Sequence, residues 1–132
     1  MVRINTDATI SPNNMASLGA VAHDKPGKIV DVAMQRCHSV GKVTLAEVMA
    51  TSLGLVTAKR LGFMRVELQC DALNVVQASC LQQHGKAPVD LVFDDIRSLG
   101  MEFDSFVCSH IKRVGNCVAH LAARSCHLSD GL

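Results

Sequence analysis

The chain has few aromatic side chains: it contains no Trp and no Tyr, and only four Phe. A surface that binds single-stranded nucleic acid by stacking bases on aromatic rings is therefore not expected. An excess of one charge is lacking as well, because 13 Lys and Arg oppose 12 Asp and Glu, giving a formal net charge of +1. The net charge thus neither predicts nor excludes a local patch that binds phosphates.

Long apolar runs and closely paired cysteines are also missing. No segment approaches the roughly 20 apolar residues that cross a membrane, and residues 1–14 lack the apolar core of a signal peptide. The six Cys include no C-x-x-C pair, so we expect them to be reduced. These absences predict an intracellular protein, nuclear or cytoplasmic, that is neither secreted nor embedded in a membrane.

The length and composition are those of a globular domain. The chain has 132 residues, of which 48% are hydrophobic and 19% are charged. Such a chain can bury enough apolar surface to fold alone. The sequence shows no internal repeat, low-complexity tract or linker. We therefore expect a single domain over residues 1–132, and we expect it to be a monomer.

Hydrophobic periodicity divides the chain into strands and helices. Three N-terminal apolar segments are joined by short turns, which predicts an antiparallel meander, whereas strands connected through helices should be parallel. The predicted helices cover 44–61, 72–81, 88–100 and the residues after Asn116, a candidate N-cap, and the last two strands cover 66–70 and 103–110. The order βββαβααβα predicts an α/β fold in which a mixed five-stranded sheet, three antiparallel strands then two parallel strands, carries helices on both faces.

Three carboxylates occupy positions that this topology would bring together. Asp7 ends the first predicted strand, Asp71 follows the strand over 66–70, and Glu47 lies in the first turn of the helix over 44–61. Each alone has a structural interpretation: Asp7 as a turn residue, Glu47 as part of a capping box with Thr44, and Asp71 as an N-cap. Three crowded carboxylates repel one another unless a cation neutralises them, so the set predicts a divalent metal site.

A rival metal site involves soft ligands near the C-terminus. His110, Cys117, His120, Cys126 and His127 include one C-x-x-H pair. Zinc sites of this kind need a second ligand pair at a suitable distance, and none is present. The acidic set is therefore the favoured metal site.

Short segments in this order resemble those of the type 1 ribonuclease H domain, in particular its plant reverse-transcriptase-like branch. The resemblance spans about residues 3–125 and rests on Ile4-Asn5-Thr6-Asp7, the turn at 24–28, Ala46-Glu47, Cys70-Asp71, and His110 with Asn116 six residues later. It implies a ribonuclease H fold and a metal-dependent endonuclease. Such an enzyme cleaves the RNA strand of an RNA–DNA hybrid with two Mg²⁺ or Mn²⁺ ions.

The resemblance assigns Asp7, Glu47 and Asp71 to the first three of four metal-binding acids. The fourth position is His120, where the family carries Asp. Neutral imidazole is a poor ligand for Mg²⁺ and a tolerable one for Mn²⁺, so any activity is expected to favour Mn²⁺. The alternative is a weakened or inactive module, derived from a retroelement, that binds nucleic acid or a partner.

Four further residues follow from the resemblance and from the basic loop after the last strand. His110 falls on the family's mobile histidine, which takes part in product release or proton transfer, and is counted with the catalytic set. Asn116 falls on the helix-start Asn that precedes the fourth acid by four residues. Together with Lys112 and Arg113, which can contact phosphates, Asn116 is assigned to substrate binding.

Overall fold

The computed structural model describes residues 1–13, 15–25, 28–38, 43–71 and 88–128. The strands are β1 (Val2–Ile10), β2 (Met15–Lys25), β3 (Lys28–His38), β4 (Arg65–Cys70) and β5 (Ser105–His110). The described helices are α1 (Val43–Arg60), α2 (Pro88–Gly100) and α3 (Cys117–Leu128), and a 3-10 turn at Arg113–Asn116 leads directly into α3. None of these helices combines the length and the apolar character that crossing a bilayer requires.

The five strands form one mixed sheet in the order β3-β2-β1-β4-β5. Neighbouring strands pair antiparallel in β3-β2-β1 and parallel in β1-β4-β5. Short turns allow the first pattern, and the connections through helices produce the second. The predicted α/β architecture and its mixed sheet are therefore confirmed, while the predicted helix over 72–81 lies outside the described residues.

Two strand boundaries differ from the prediction. The sequence places Asp7 at the end of the first strand, but β1 continues to Ile10 because residues 7–10 pair with β2, with Asp7 opposite Gly19. The parallel partner β4 ends at Cys70, opposite Thr6. Asp7 thus lies one residue beyond the end of the parallel ladder. The last strand begins at Ser105 rather than at residue 103.

The main core lies between the sheet and the helices α1 and α2. Alternate residues of β1 and β4 are buried there, among them Ile4 and Leu68. Gly54 brings α1 close to the sheet, because a Cβ at this position would lie 2.8 Å from Ile4 Cγ2 and 2.9 Å from Thr6 Cγ2. This contact fixes α1 against β1, with Glu47 two turns earlier on the helix.

Helix α3 covers the other face of the sheet, over β2. Gly19 makes this approach possible, since a Cβ there would lie 2.8 Å from the carbonyl oxygen of Ala119 and 2.8 Å from the backbone nitrogen of Ala123. Any side chain at position 19 would force the helix away from the sheet. Because Gly19 is the ladder partner of Asp7, this contact also brings His120 beside Asp7.

Candidate metal centre

Three carboxylates converge where β1 leaves β4. Asp7 comes from β1, Asp71 follows β4 directly, and Glu47 comes from the first turns of α1. One oxygen from each side chain lies within 4.8 Å of those of the other two. The Asp7 and Glu47 residues are buried, and Asp71 is half-buried. The structure therefore brings together the three acids that the sequence singled out.

Three ionised carboxylates in a site this buried are energetically unfavourable. Burial, together with the charges of Asp7 and Asp71, raises the pKa of Glu47 to about 9. Burial also raises the pKa of Asp7, and the charge of Asp71 adds to this effect, while a hydrogen bond with His120 opposes it. Desolvation disfavours an anion, so three ionised carboxylates here require a cation or a proton among them.

Each of the three side chains keeps a buried oxygen without a hydrogen-bond partner: Asp7 Oδ1, Glu47 Oε2 and Asp71 Oδ2. Asp71 Oδ2 has only an ion pair, at 3.4 Å, with Nε of the exposed Arg113. Buried polar atoms in native proteins are normally paired, and unpaired carboxylate oxygens are the ligands that hard divalent cations prefer. The donor set therefore fits a divalent cation such as Mg²⁺ or Mn²⁺.

The capping-box interpretation leaves one oxygen of Glu47 unexplained. Helix α1 begins at Val43, one residue before Thr44. The oxygen Oε2 of Glu47 is buried and has no hydrogen-bond partner, which a capping box alone does not account for. The turn interpretation of Asp7 is wrong, since Asp7 lies inside β1.

His120 contacts the cluster through a single member. Its Nδ1 lies 2.7 Å from Asp7 Oδ2, and the ring is half-buried. When the Asp7 carboxylate is ionised, Nδ1 carries the proton and donates the hydrogen bond. His120 lies outside the group of three acids whose ligand atoms are mutually close among the described residues, and its role as a metal ligand stays a prediction. Its contact with Asp7 makes it a hydrogen-bond partner that orients this carboxylate.

His110 lies at the edge of the same cluster. It ends β5, where it pairs with Cys70, and its Nε2 lies 3.2 Å from the carbonyl oxygen of Asp71. The side chain is exposed. An exposed imidazole beside a carboxylate cluster is placed to exchange protons with solvent. Lys112 and Arg113 follow on the adjoining loop, where both are exposed.

Asn116 is buried, which is at odds with its predicted contact to substrate. Its Nδ2 donates to the carbonyl oxygen of Thr6 at 2.8 Å, and its Oδ1 accepts from Asn5 Nδ2 at 3.3 Å. Asn116 directly precedes α3, but its described side-chain hydrogen bonds go to β1 and not to the helix backbone, so the N-cap role stays a prediction. Because Thr6 immediately precedes Asp7, Asn116 helps to position the cluster.

The amide pair of Asn5 and Asn116 was missed by the sequence reasoning. Asn5 Nδ2 also donates to Gln69 Oε1 at 3.2 Å, so three amides from β1, β4 and the 3-10 turn are linked. The sequence signal was a polar amide directly after a buried apolar residue in each strand, Asn5 after Ile4 and Gln69 after Leu68. The rival zinc set is not supported, because among the described residues Cys117 and His120 belong to no group of three metal-ligating side chains.

The sheet order, the flanking helices and the acidic centre define a ribonuclease H-like protein. The sequence model of the reverse transcriptase-like family matches residues 5–126, so the chain belongs to that family. A sequence search of curated proteins finds no match.

Solved structures share the fold over nearly the whole chain. RNase H1 from the archaeon Halobacterium salinarum has 25% sequence identity and a TM-score of 0.86, and the match covers 98% of each chain. The N-terminal RNase H domain of a Mycobacterium tuberculosis protein has 22% identity and a TM-score of 0.84, covering 95% of this chain and 91% of that one. LC11-RNase H1, obtained from compost, was solved in complex with an RNA/DNA hybrid; it has 23% identity and a TM-score of 0.83, covering 95% of each chain.

Proposed function

We propose that the chain is a metal-dependent endoribonuclease that cleaves the RNA strand of RNA–DNA hybrids. The observation that carries this proposal is the cluster of Asp7, Glu47 and Asp71, each with a buried oxygen that lacks a hydrogen-bond partner. The similarity to RNase H1 structures, one of them holding an RNA/DNA hybrid, supports the same substrate class.

The proposed cofactor is Mg²⁺ or Mn²⁺, with two ions per site held by Asp7, Glu47 and Asp71. When bound, such ions activate the attacking water and stabilise the leaving 3′ oxygen of the scissile phosphodiester. The chain's own contribution is a rigid, largely desolvated set of carboxylates. Gly54 contributes to this rigidity by fixing α1, and Asn116 contributes by holding the backbone at Thr6.

The residues around the acids supply the remaining functions. His110, exposed at the cluster's edge, is placed to carry a proton between the reaction centre and water. Lys112 and Arg113 lie on the loop that leaves His110, so phosphates of a bound nucleic acid would meet positive charge beside the acids. Arg113 pairs with Asp71 through Nε at 3.4 Å, and its largely exposed guanidinium has further N–H donors placed to contact a phosphate.

A second candidate function is favoured by one contact. His120 stands at the position where the resemblance implies a fourth acid, and its Nδ1 lies 2.7 Å from Asp7 Oδ2. A histidine there removes one negative charge from the site and uses one oxygen of Asp7. A ribonuclease H-like module with weakened or lost cleavage, derived from a retroelement and retained for binding nucleic acid or a partner, would tolerate this arrangement.

Cleavage of a labelled hybrid distinguishes the two functions. The purified chain is incubated with an end-labelled RNA–DNA hybrid in Mg²⁺ and in Mn²⁺, alongside Asp71→Asn and the control Asp104→Asn. Asp104 is exposed and immediately precedes β5, away from the cluster. The proposal expects cleavage that Asp71→Asn abolishes and Asp104→Asn preserves. Binding of the hybrid without cleavage in either metal would support the module instead.

A further inference from the structure

The strand β3 is an open edge of the sheet. It precedes β2 in the order β3-β2-β1-β4-β5, and within the described residues no strand pairs with its outer side. It is eleven residues long; its register with β2 is regular from Asp31 to His38 and irregular between Lys28 and Asp31. Edges of natural sheets are usually short, charged or bulged, because unpaired backbone groups recruit another strand.

The same strand exposes large apolar side chains. Ile29, Val30, Val32 and Met34 have relative exposures of 47%, 37%, 42% and 51%. Val32 and Met34 are the ladder partners of Val21 and Gly19, so they share the face of the sheet on which α3 packs. Burying exposed apolar side chains lowers the free energy, and a strand that pairs with the backbone of β3 and carries apolar side chains of its own would bury them.

The sequence alone predicts a monomer, but from this edge we propose that β3 binds a second copy of the chain, with the two β3 strands pairing antiparallel about a two-fold axis. The two five-stranded sheets would then form one continuous sheet. A two-fold axis perpendicular to the sheet keeps each face continuous, so opposed residues must share a face. Centring the axis on Ala33 meets this condition and pairs the regular segment of the strand from Asp31 to Gln35 with its copy.

The side chains of β3 are self-complementary in this register. Val32 of each copy lies opposite Met34 of the other, so four apolar side chains meet around the axis on the α3 face. Asp31 lies opposite Gln35, which places no like charges against each other. Cross-strand apolar pairs of this kind are a main source of stability between strands.

Neighbouring registers are less favourable. Moving the axis by one residue towards the N-terminus places Lys28 opposite Arg36, which sets two positive charges against each other. Moving it by one residue towards the C-terminus leaves Lys28 and Ile29 unpaired and places Val32 opposite Arg36. The register centred on Ala33 avoids both conflicts within the regular segment from Asp31 to Gln35, and it places Val30 opposite Arg36.

This interface leaves the acidic cluster open. Strand β2 separates β3 from β1, which carries Asp7. The pairing is therefore independent of the proposed nuclease function. Because a single strand on each copy supplies the contact, the interface is at the small end of specific interfaces, and a reversible dimer that depends on concentration is expected.

Sedimentation equilibrium over a roughly hundredfold range of micromolar concentrations tests the pairing. The wild-type chain should pass from monomer to dimer. Val32→Lys should raise the dissociation constant at least about tenfold, whereas Val107→Lys, at a 50% exposed Val on the opposite edge strand β5, should leave it unchanged. Met34→Lys replaces Val32→Lys if circular dichroism shows that the latter does not fold. A wild-type chain that stays monomeric, or equal effects at positions 32 and 107, would overturn the proposal.

A cysteine at the axis tests the register. Two Cα atoms directly opposite in an antiparallel pair are about 4.5–5.5 Å apart, within the range that a disulfide bridges. Under mild oxidation Ala33→Cys should form a covalent dimer, whereas Val30→Cys and the wild-type chain, whose Cys37 lies off the axis, should not. Equal cross-linking of Val30→Cys, or none with Ala33→Cys, would refute the register, and species larger than a dimer would refute the closed pair.

Discussion

His120 on α3 is hydrogen-bonded to Asp7 on β1, with 2.7 Å between Nδ1 and Oδ2. The contact follows from the packing of α3 against Gly19, the ladder partner of Asp7. It leaves Asp7 Oδ1 as the buried oxygen without a partner, beside those of Glu47 and Asp71. The imidazole thus orients one carboxylate of the cluster and leaves the other oxygen free for a cation.

Replacing His120 by Asp should change the metal preference. A fourth carboxylate adds a hard oxygen ligand that Mg²⁺ prefers and imidazole does not supply. We expect His120→Asp to raise hybrid cleavage in Mg²⁺ by about tenfold or more, with a smaller change in Mn²⁺. Initial rates in each metal measure the effect, and His38→Asp, at an exposed His on β3, is the matched control. An unchanged ratio of the Mg²⁺ and Mn²⁺ rates would count against this role of position 120.

The stability of the metal-free protein should fall as the pH rises. The pKa of Glu47 is about 9 in the folded protein, against an ordinary value of 4.5. Between these values the folded state binds more protons than the unfolded state, so the free energy of unfolding decreases with rising pH through this window. Glu47→Gln removes the titration and should stabilise the metal-free protein by on the order of 2 kcal/mol at pH 8, with little effect at pH 4.

Urea denaturation at several pH values, with a chelator present, measures this difference. Glu102→Gln is the control, because Glu102 is an exposed partner of Lys59 far from the cluster. Its free energy of unfolding should follow the wild-type pH dependence. A Glu47→Gln curve parallel to that of the wild type would show that Glu47 does not carry the excess charge of the site.

Asn116 should be important for both stability and metal binding. Asn116→Leu leaves the carbonyl of Thr6 without its 2.8 Å partner and the amide of Asn5 without one of its two acceptors. Leaving such groups buried and unpaired should cost about 2–3 kcal/mol of unfolding free energy, measured by urea denaturation. Because Thr6 adjoins Asp7, the affinity for Mn²⁺ should also fall. The exposed Asn13 provides the control Asn13→Leu. An equally small loss of unfolding free energy at both positions would argue against this role of Asn116.

Gly19 should not tolerate a methyl group. A Cβ at this position would meet backbone atoms of Ala119 and Ala123 at 2.8 Å, and backbone cannot move as freely as a side chain. Gly19→Ala should therefore cost about 2 kcal/mol or more and displace His120 from Asp7. At Gly115 the nearest atoms to an added Cβ belong to the flexible Ile111 side chain, so Gly115→Ala is the milder control. Equal thermal midpoints for the two variants would contradict this account of the packing of α3.

Much of the fold follows from local sequence patterns. The period-two alternation around Ile4 and Leu68 predicts buried strands, and Pro88 with Gly100 marks the bounds of α2 as observed. Turn length then separates the antiparallel strands from the parallel ones. The extension of β1 beyond Asp7 was not predicted, because an Asp at the end of an alternating segment suggests a turn, and only pairing with β2 continues the strand to Ile10. Long-range pairing, not local propensity, determines that boundary.

The candidate site was also only partly predictable from the sequence. The convergence of the three acids followed from topology, since Asp7 and Asp71 lie just beyond the end of the parallel ladder of β1 and β4 and Glu47 lies in the first turns of α1. The contacts of His120 and Asn116 did not, because they depend on where α3 packs on the sheet. Gly19, more than 90 residues earlier in the chain, determines that position, and no local sequence pattern predicts it.

Direct binding of Mn²⁺ tests the central claim, that the three carboxylates form a divalent-cation site. Electron paramagnetic resonance of free Mn²⁺ during titration with the protein gives the affinity without requiring activity. We predict that the wild-type chain binds Mn²⁺, that Asp71→Asn weakens binding about tenfold or more, and that Asp104→Asn leaves it unchanged. Mn²⁺ that stays free with the wild-type chain, or that binds Asp71→Asn equally well, would contradict the account.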